Sequence, residues 1–125
     1  MTDSASLLVI VDAANVVGSV PDGWWRDRRG AAERLRDRLA ADGVPGRAEP
    51  VEIVLVVEGA ARGVEPVAGV RVAAAPGSGD DHIVALAAGA APGRPVLVVT
   101  ADRELRRRVT ELGAEVAGPR TVRPD

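Results

Sequence analysis

The chain contains no cysteine, no lysine, no tyrosine and no phenylalanine. Without cysteine, neither a disulfide framework nor a thiolate metal site can form. Without lysine there is no GxxxxGK[ST] loop, which excludes classical P-loop nucleotide binding. Aromatic residues amount to only 2%, Trp24 and Trp25, against 46% hydrophobic residues, so the core must be built from Val, Leu, Ile and Ala. Long apolar runs are also missing. "LLVIV" and "VLVV" fall far short of the roughly 18 residues a membrane span needs. The N-terminus lacks a basic region followed by an apolar stretch, so the expected setting is the cytoplasm, with no membrane partner. A formal charge of −2 argues against coating nucleic acid by bulk electrostatics, although all 16 basic residues are arginine and can cluster locally.

What is present is alternation. At 125 residues the chain suits one domain, and short apolar runs interleaved with helical patterns indicate an α/β fold with a mostly parallel sheet of about five strands. Leu7 to Val11 is apolar on consecutive positions, as in a strand buried on both faces. Pro21-Asp22-Gly23 reads as a turn. Trp24 to Ala41 reads as a helix with Ala32, Leu35 and Leu39 on one face. Further strands are expected at 53–57, 70–74, 95–100 and 114–117, and further helices at 80–91, with Ile83, Leu86 and Ala87 at core spacing, and at 103–112. Residues 1–118 form the expected domain and 119–125 a loose tail with two prolines.

Acids then fall at one place. Asp12 follows the first strand, Glu58 the second and Asp102 the fourth, while Asp80 and Asp81 open a helix beside the same edge. In a parallel sheet all strand C-termini share that edge, and ligands bind in its crevice where strand order reverses. Converging carboxylates repel and raise one another's pKa unless a cation neutralises them. Mg²⁺ or Mn²⁺, which prefer oxygen ligands, are the expected cofactors. Such ions activate water and clamp phosphodiesters, so metal-assisted phosphodiester hydrolysis is the chemistry expected.

Each acid also has an ordinary explanation. Asp80 suits an N-cap ahead of "HIVALAA", and Asp102 with Glu104 suits the acidic start of a helix. Glu58 before "GAARG" suits a solvated strand end. Asp12 is harder to explain this way, because no helix start is obvious until later.

Three segments, "LLVIVDAANVVGS", "GDDHIVALAAGA" and "VLVVTADREL", resemble the signature segments of PIN-like nucleases, most closely the NYN and YacP-like branch, in the expected order from about Leu7 to about Ala117. The resemblance implies a single Rossmann-like, three-layer PIN-like domain and Mg²⁺- or Mn²⁺-dependent RNA cleavage. It places catalytic and metal-binding roles on Asp12, Asp80 and Asp102, and auxiliary metal roles on Asp81 and Glu104. Asn15 would hold the first Asp or the scissile phosphate, and Glu58 stands where relatives often carry an acid. Ala13 and Ala14 depart from the Gly and aromatic residue of many relatives, leaving that wall less bulky.

Substrate contacts are expected from "DGWWRDRR", where Trp24 can stack a base and Arg26 and Arg28 can bind phosphate, and from Thr100 and Arg103. One tryptophan is expected buried and one partly exposed. The arginines around Leu105 and Val109 read as a solvated face, and His82 receives no catalytic role. RNA or a nucleotide is the expected partner, and Ala-rich helix faces would permit a homodimer. Two other readings stand beside the nuclease: a phosphoanhydride hydrolase on the same acids, and a non-catalytic Rossmann-like module in which they serve only as caps.

Overall fold

The computed structural model describes residues 6–47 and 50–123. Five strands, β1 (Leu7–Asp12), β2 (Val51–Val57), β3 (Val70–Ala74), β4 (Val96–Val99) and β5 (Glu115–Ala117), form one sheet in the order β3-β2-β1-β4-β5. Every pairing within it is parallel. Strand order therefore reverses between β1 and β4, and the crevice outside their C-terminal ends is where this topology places ligands.

Four helices cover the two faces: α1 (Ala13–Gly18), α2 (Arg28–Asp42), α3 (Gly79–Ala88) and α4 (Arg103–Thr110). Alternation along β1 divides the core. Leu7, Val9 and Val11 pack with Val16, Leu35 and Leu39 from α1 and α2, whereas Leu8 and Ile10 pack with Ile83, Leu105 and Val109 from α3 and α4. A strand so enclosed has no polar face, which is why its sequence is an unbroken apolar run. Each fully buried aliphatic side chain contributes about 1.5–3 kcal/mol relative to exposure, so the three-layer α/β arrangement rests on aliphatic burial, with Trp24 packed only at the margin of the core.

Four expectations change. A helix does follow β1 at once: α1 begins at Ala13, with Asp12 as its N-cap. The helix expected from Trp24 is divided, because Trp24–Arg26 is a 3₁₀ turn and Asp27 then caps α2 by accepting the Gly30 N–H at 2.9 Å. Residues 119–123 are not loose. Pro119 and Val122 are buried, Val122 joins the α1/α2 core, and Arg123 donates to the Val17 carbonyl at 3.2 Å and pairs with Asp22. Finally, neither tryptophan is fully buried: Trp24 is partly buried against the core and Trp25 is 50% exposed.

Candidate active site

The crevice at the strand reversal is built around one hydroxyl. Thr100, directly after β4, is fully buried, and its Oγ1 donates to Asp12 Oδ2 at 2.9 Å while accepting the Asp102 backbone N–H at 3.1 Å. Thr100 is itself fixed, since its backbone N–H donates to the Ala117 carbonyl and its carbonyl accepts Arg106 Nε at 2.7 Å. Asn15 Oδ1 accepts the Ala101 N–H at 2.8 Å, tying α1 to the loop after β4. The ends of β1 and β4 are thereby locked together.

Asp12 is only 6% exposed, although it is an acid at a strand end. Burial is the main reason its carboxyl is pushed from 3.8 up to about 6; the bonds from Thr100 and Asn15 oppose the rise, and the charges of Asp80 and Glu58 add to it. Asp80 is raised as well, first by burial, then by the charges of Asp102 and Glu58, with Arg108 opposing. Asp12 and Asp80 thus both feel the charges of other acids around the crevice.

Asp80 is not the N-cap of α3. Ser78 fills that position, its Oγ accepting the Asp81 N–H at 3.2 Å, so the Asp80 carboxylate is released from capping. Asp102, by contrast, does cap α4, with Oδ1 accepting the Leu105 N–H at 2.9 Å. Glu58 reaches across from the end of β2 and accepts the Gly79 N–H through Oε1, holding the start of α3 against the sheet. A Cβ at Gly79 would lie 2.8 Å from that oxygen, so any larger residue here requires the end of the Glu58 side chain to shift.

Other expected site residues lie elsewhere. Asp81 is exposed and pairs with Arg108 at 3.1 Å. Glu104 is exposed and held by Arg107, which lowers its pKa. Both auxiliary acids are therefore turned toward arginines. Thr100, expected to touch substrate, is buried with its hydroxyl already engaged, and so positions the two acids instead. Arg103 is exposed on the first turn of α4. Arg26 lies over the Trp25 ring at 5.8 Å and Arg28 over Trp24 at 5.4 Å. Among the described residues no group of three His, Cys, Asp or Glu side chains forms a ready-made metal cage.

Arg106 is a residue of this crevice that sequence reading missed. The arginines of α4 read as a solvated face, yet Arg106 is partly buried and bound to the Thr100 carbonyl. Its signal was the position one turn beyond Asp102, beside the loop.

A cavity of about 280 Å³ opens next to these acids, between α1, α2 and the turn after β2. Trp24, Arg28 and Glu58 line it, and Ala13 and Ala14 leave the α1 wall low.

No family model matches the chain, and no curated protein sequence matches it. Among solved structures, a mutant form of Rae1 (YacP) from Bacillus subtilis superposes with a TM-score of 0.68, covering 94% of this chain and 72% of that one at 20% identity. The chain shares the fold of that protein. YacP is also the name of the branch to which the three signature segments point.

Proposed function

We propose that this chain is a Mg²⁺- or Mn²⁺-dependent phosphodiester hydrolase acting on RNA. The observation that carries this reading is Asp12, a carboxylate kept almost wholly buried at the strand reversal, facing Asp80 and Glu58. Such burial is costly for a charge, and proteins retain it where a cation or a reaction requires it.

The donor set is all carboxylate oxygen, which fits a hard divalent ion. Mg²⁺ needs only one or two protein carboxylates, with water and substrate phosphate completing its shell, so a three-ligand cage is not required. Asp12, Asp80 and Asp102 are the residues we assign to hold it; Asp81 and Glu104, engaged by arginines, receive no ligand role. When bound, the ion would act as a Lewis acid on the phosphate and lower the pKa of a coordinated water. Thr100 fixes the Asp12 rotamer and the Asp102 backbone. The Asn15 side chain, anchored through Oδ1, keeps its amide N–H₂ for a phosphate oxygen. Arg28 and Trp24, beside the crevice, suit a phosphate and a base of a single strand, while Arg26 and Arg103 add positive charge further out.

The test is cleavage of an end-labelled single-stranded RNA with Mg²⁺ or Mn²⁺, with chelator, and with Asp80→Asn. Cleavage that requires metal and falls by orders of magnitude in the variant is expected. Activity unchanged by chelator and substitution would refute the reading. Phosphate release from nucleoside triphosphates without RNA cleavage would favour a phosphoanhydride hydrolase.

One observation favours a non-catalytic module as the second reading: Asp12 and Asp102 cap helices and Glu58 holds Gly79. That reading predicts no cleavage under any metal condition.

A further inference from the structure

The cavity beside the acids has walls of three different kinds. Trp24 supplies an aromatic wall, with Arg28 held over its ring. Ala13 and Ala14 supply a low apolar wall, because neither side chain extends beyond Cβ. Glu58 supplies the only carboxylate among the lining residues. Its Oε1 is committed to the Gly79 N–H, and its other oxygen has no hydrogen-bond partner among the described residues. Glu58 is thus fixed in place with one strong acceptor left over.

We infer that this cavity is a selectivity pocket for a single nucleobase, with Glu58 choosing bases that present an exocyclic amine. The cavity, at about 280 Å³, lies just below the roughly 300–1,000 Å³ range of ligand pockets, suited to one planar ring system. Planar rings are what a tryptophan and guanidinium wall attracts. A carboxylate accepts and never donates, so where its free oxygen meets the exocyclic group it binds the N4 amine of cytosine or the N6 amine of adenine and repels the O4 carbonyl of uracil. The inference rests on the RNA-cleaving reading for its biological setting, since Glu58 faces both the pocket and Asp12. It gives that reading a base preference next to the scissile bond.

The experiment uses free nucleosides, which carry no phosphate for the acid edge, in metal-free buffer. The intact protein is titrated with cytidine, adenosine and uridine while the indole N–H signals of Trp24 and Trp25 are followed by NMR. Cytidine and adenosine are expected to shift Trp24 and leave Trp25, which does not line the cavity, in place. Cytidine should bind about tenfold more tightly than uridine, the factor one hydrogen bond to a charged acceptor confers. Glu58→Gln retains an oxygen for the Gly79 N–H and offers an amide N–H₂ instead, so it should erase or reverse that preference. Ala14→Leu, at an exposed position on the low wall, should abolish the shift.

The inference is overturned if Trp24 does not respond, if both tryptophans respond alike, or if cytidine and uridine bind equally. The RNA assay separates this inference from the functional reading. Cleavage without nucleoside binding removes the pocket and keeps the nuclease; nucleoside binding without cleavage keeps the pocket and removes the nuclease.

Discussion

Thr100 holds Asp12 by a 2.9 Å hydrogen bond between two residues 88 positions apart in sequence. The same hydroxyl accepts the Asp102 N–H, so one buried side chain sets the spacing of two acids across the strand reversal.

Thr100→Val removes that hydroxyl while keeping the shape of the side chain. It leaves the buried Asp12 carboxylate and the Asp102 N–H each short of a partner, at a cost of about 1–3 kcal/mol. Thr100→Ser, which keeps the oxygen, should lose much less. Urea denaturation of the three proteins checks this; a valine variant as stable as wild type would show that the bond does not hold the site together.

Asp12 also predicts a pH dependence in metal-free protein. Its carboxyl titrates near 6 when folded and near 3.8 when unfolded, so between those values the folded state binds more protons. Stability must then fall as pH rises through that window. The contribution is absent below about pH 4 and complete above about pH 6, where it approaches about 3 kcal/mol. Asp80, also raised, acts with the same sign. Surface carboxylates paired with arginine slope the other way, so the clean quantity is the difference between wild type and Asp12→Asn. The asparagine variant should gain on wild type from about pH 4 to about pH 7, less what its altered bonding to Thr100 costs. A difference independent of pH would contradict the raised pKa.

Arg106→Ala should cost about 1 kcal/mol through loss of the bond to the Thr100 carbonyl, and should lower RNA cleavage by loosening the loop that carries Asp102. Arg103→Ala, one turn earlier and exposed, should change stability by less than about 0.5 kcal/mol. Equal effects of the two substitutions would remove Arg106 from the positioning scheme.

Gly79→Ala would ordinarily favour a helix, but here its Cβ meets the Glu58 carboxylate at 2.8 Å. The Glu58 side chain must swing aside, so a net destabilisation of up to about 1 kcal/mol is expected from its lost bond to the Gly79 N–H, less the helix gain. Combining it with Glu58→Ala should give less than the sum of the two losses, because the collision disappears. Strict additivity of the two changes would mean that the two residues do not touch.

How much of this could be read in the chain itself depends on whether the cause was local. The strands were legible because burial on both faces leaves continuous apolar runs such as Leu7 to Val11, and the edge where the acids gather follows from parallel topology alone. Helix α1 was not legible: "AANVVG" is six residues long, too short to show a period, and depends on the Asp12 cap and on burial of Val16 and Val17. The N-cap of α3 was not decided by the sequence, because Ser78 and Asp80 are both good capping residues, and only the folded backbone decides between them. The roles of Arg108 and Glu58 rest on contacts with distant residues, which no local pattern records, whereas Arg106 reaches back only to Thr100. Thr100 likewise read as a substrate contact, until the two bonds of its buried hydroxyl accounted for it.

The site proposed for a divalent cation lies among Asp12, Asp80 and Asp102. The most direct measurement is a Mn²⁺ titration followed by paramagnetic broadening of backbone N–H signals, in wild type and in Asp12→Asn/Asp80→Asn. Signals around Ala13, Asp80 and Asp102 are expected to broaden first, and the double substitution to remove this selectivity. Broadening centred on exposed acids such as Glu104, or unchanged in the double variant, would contradict it.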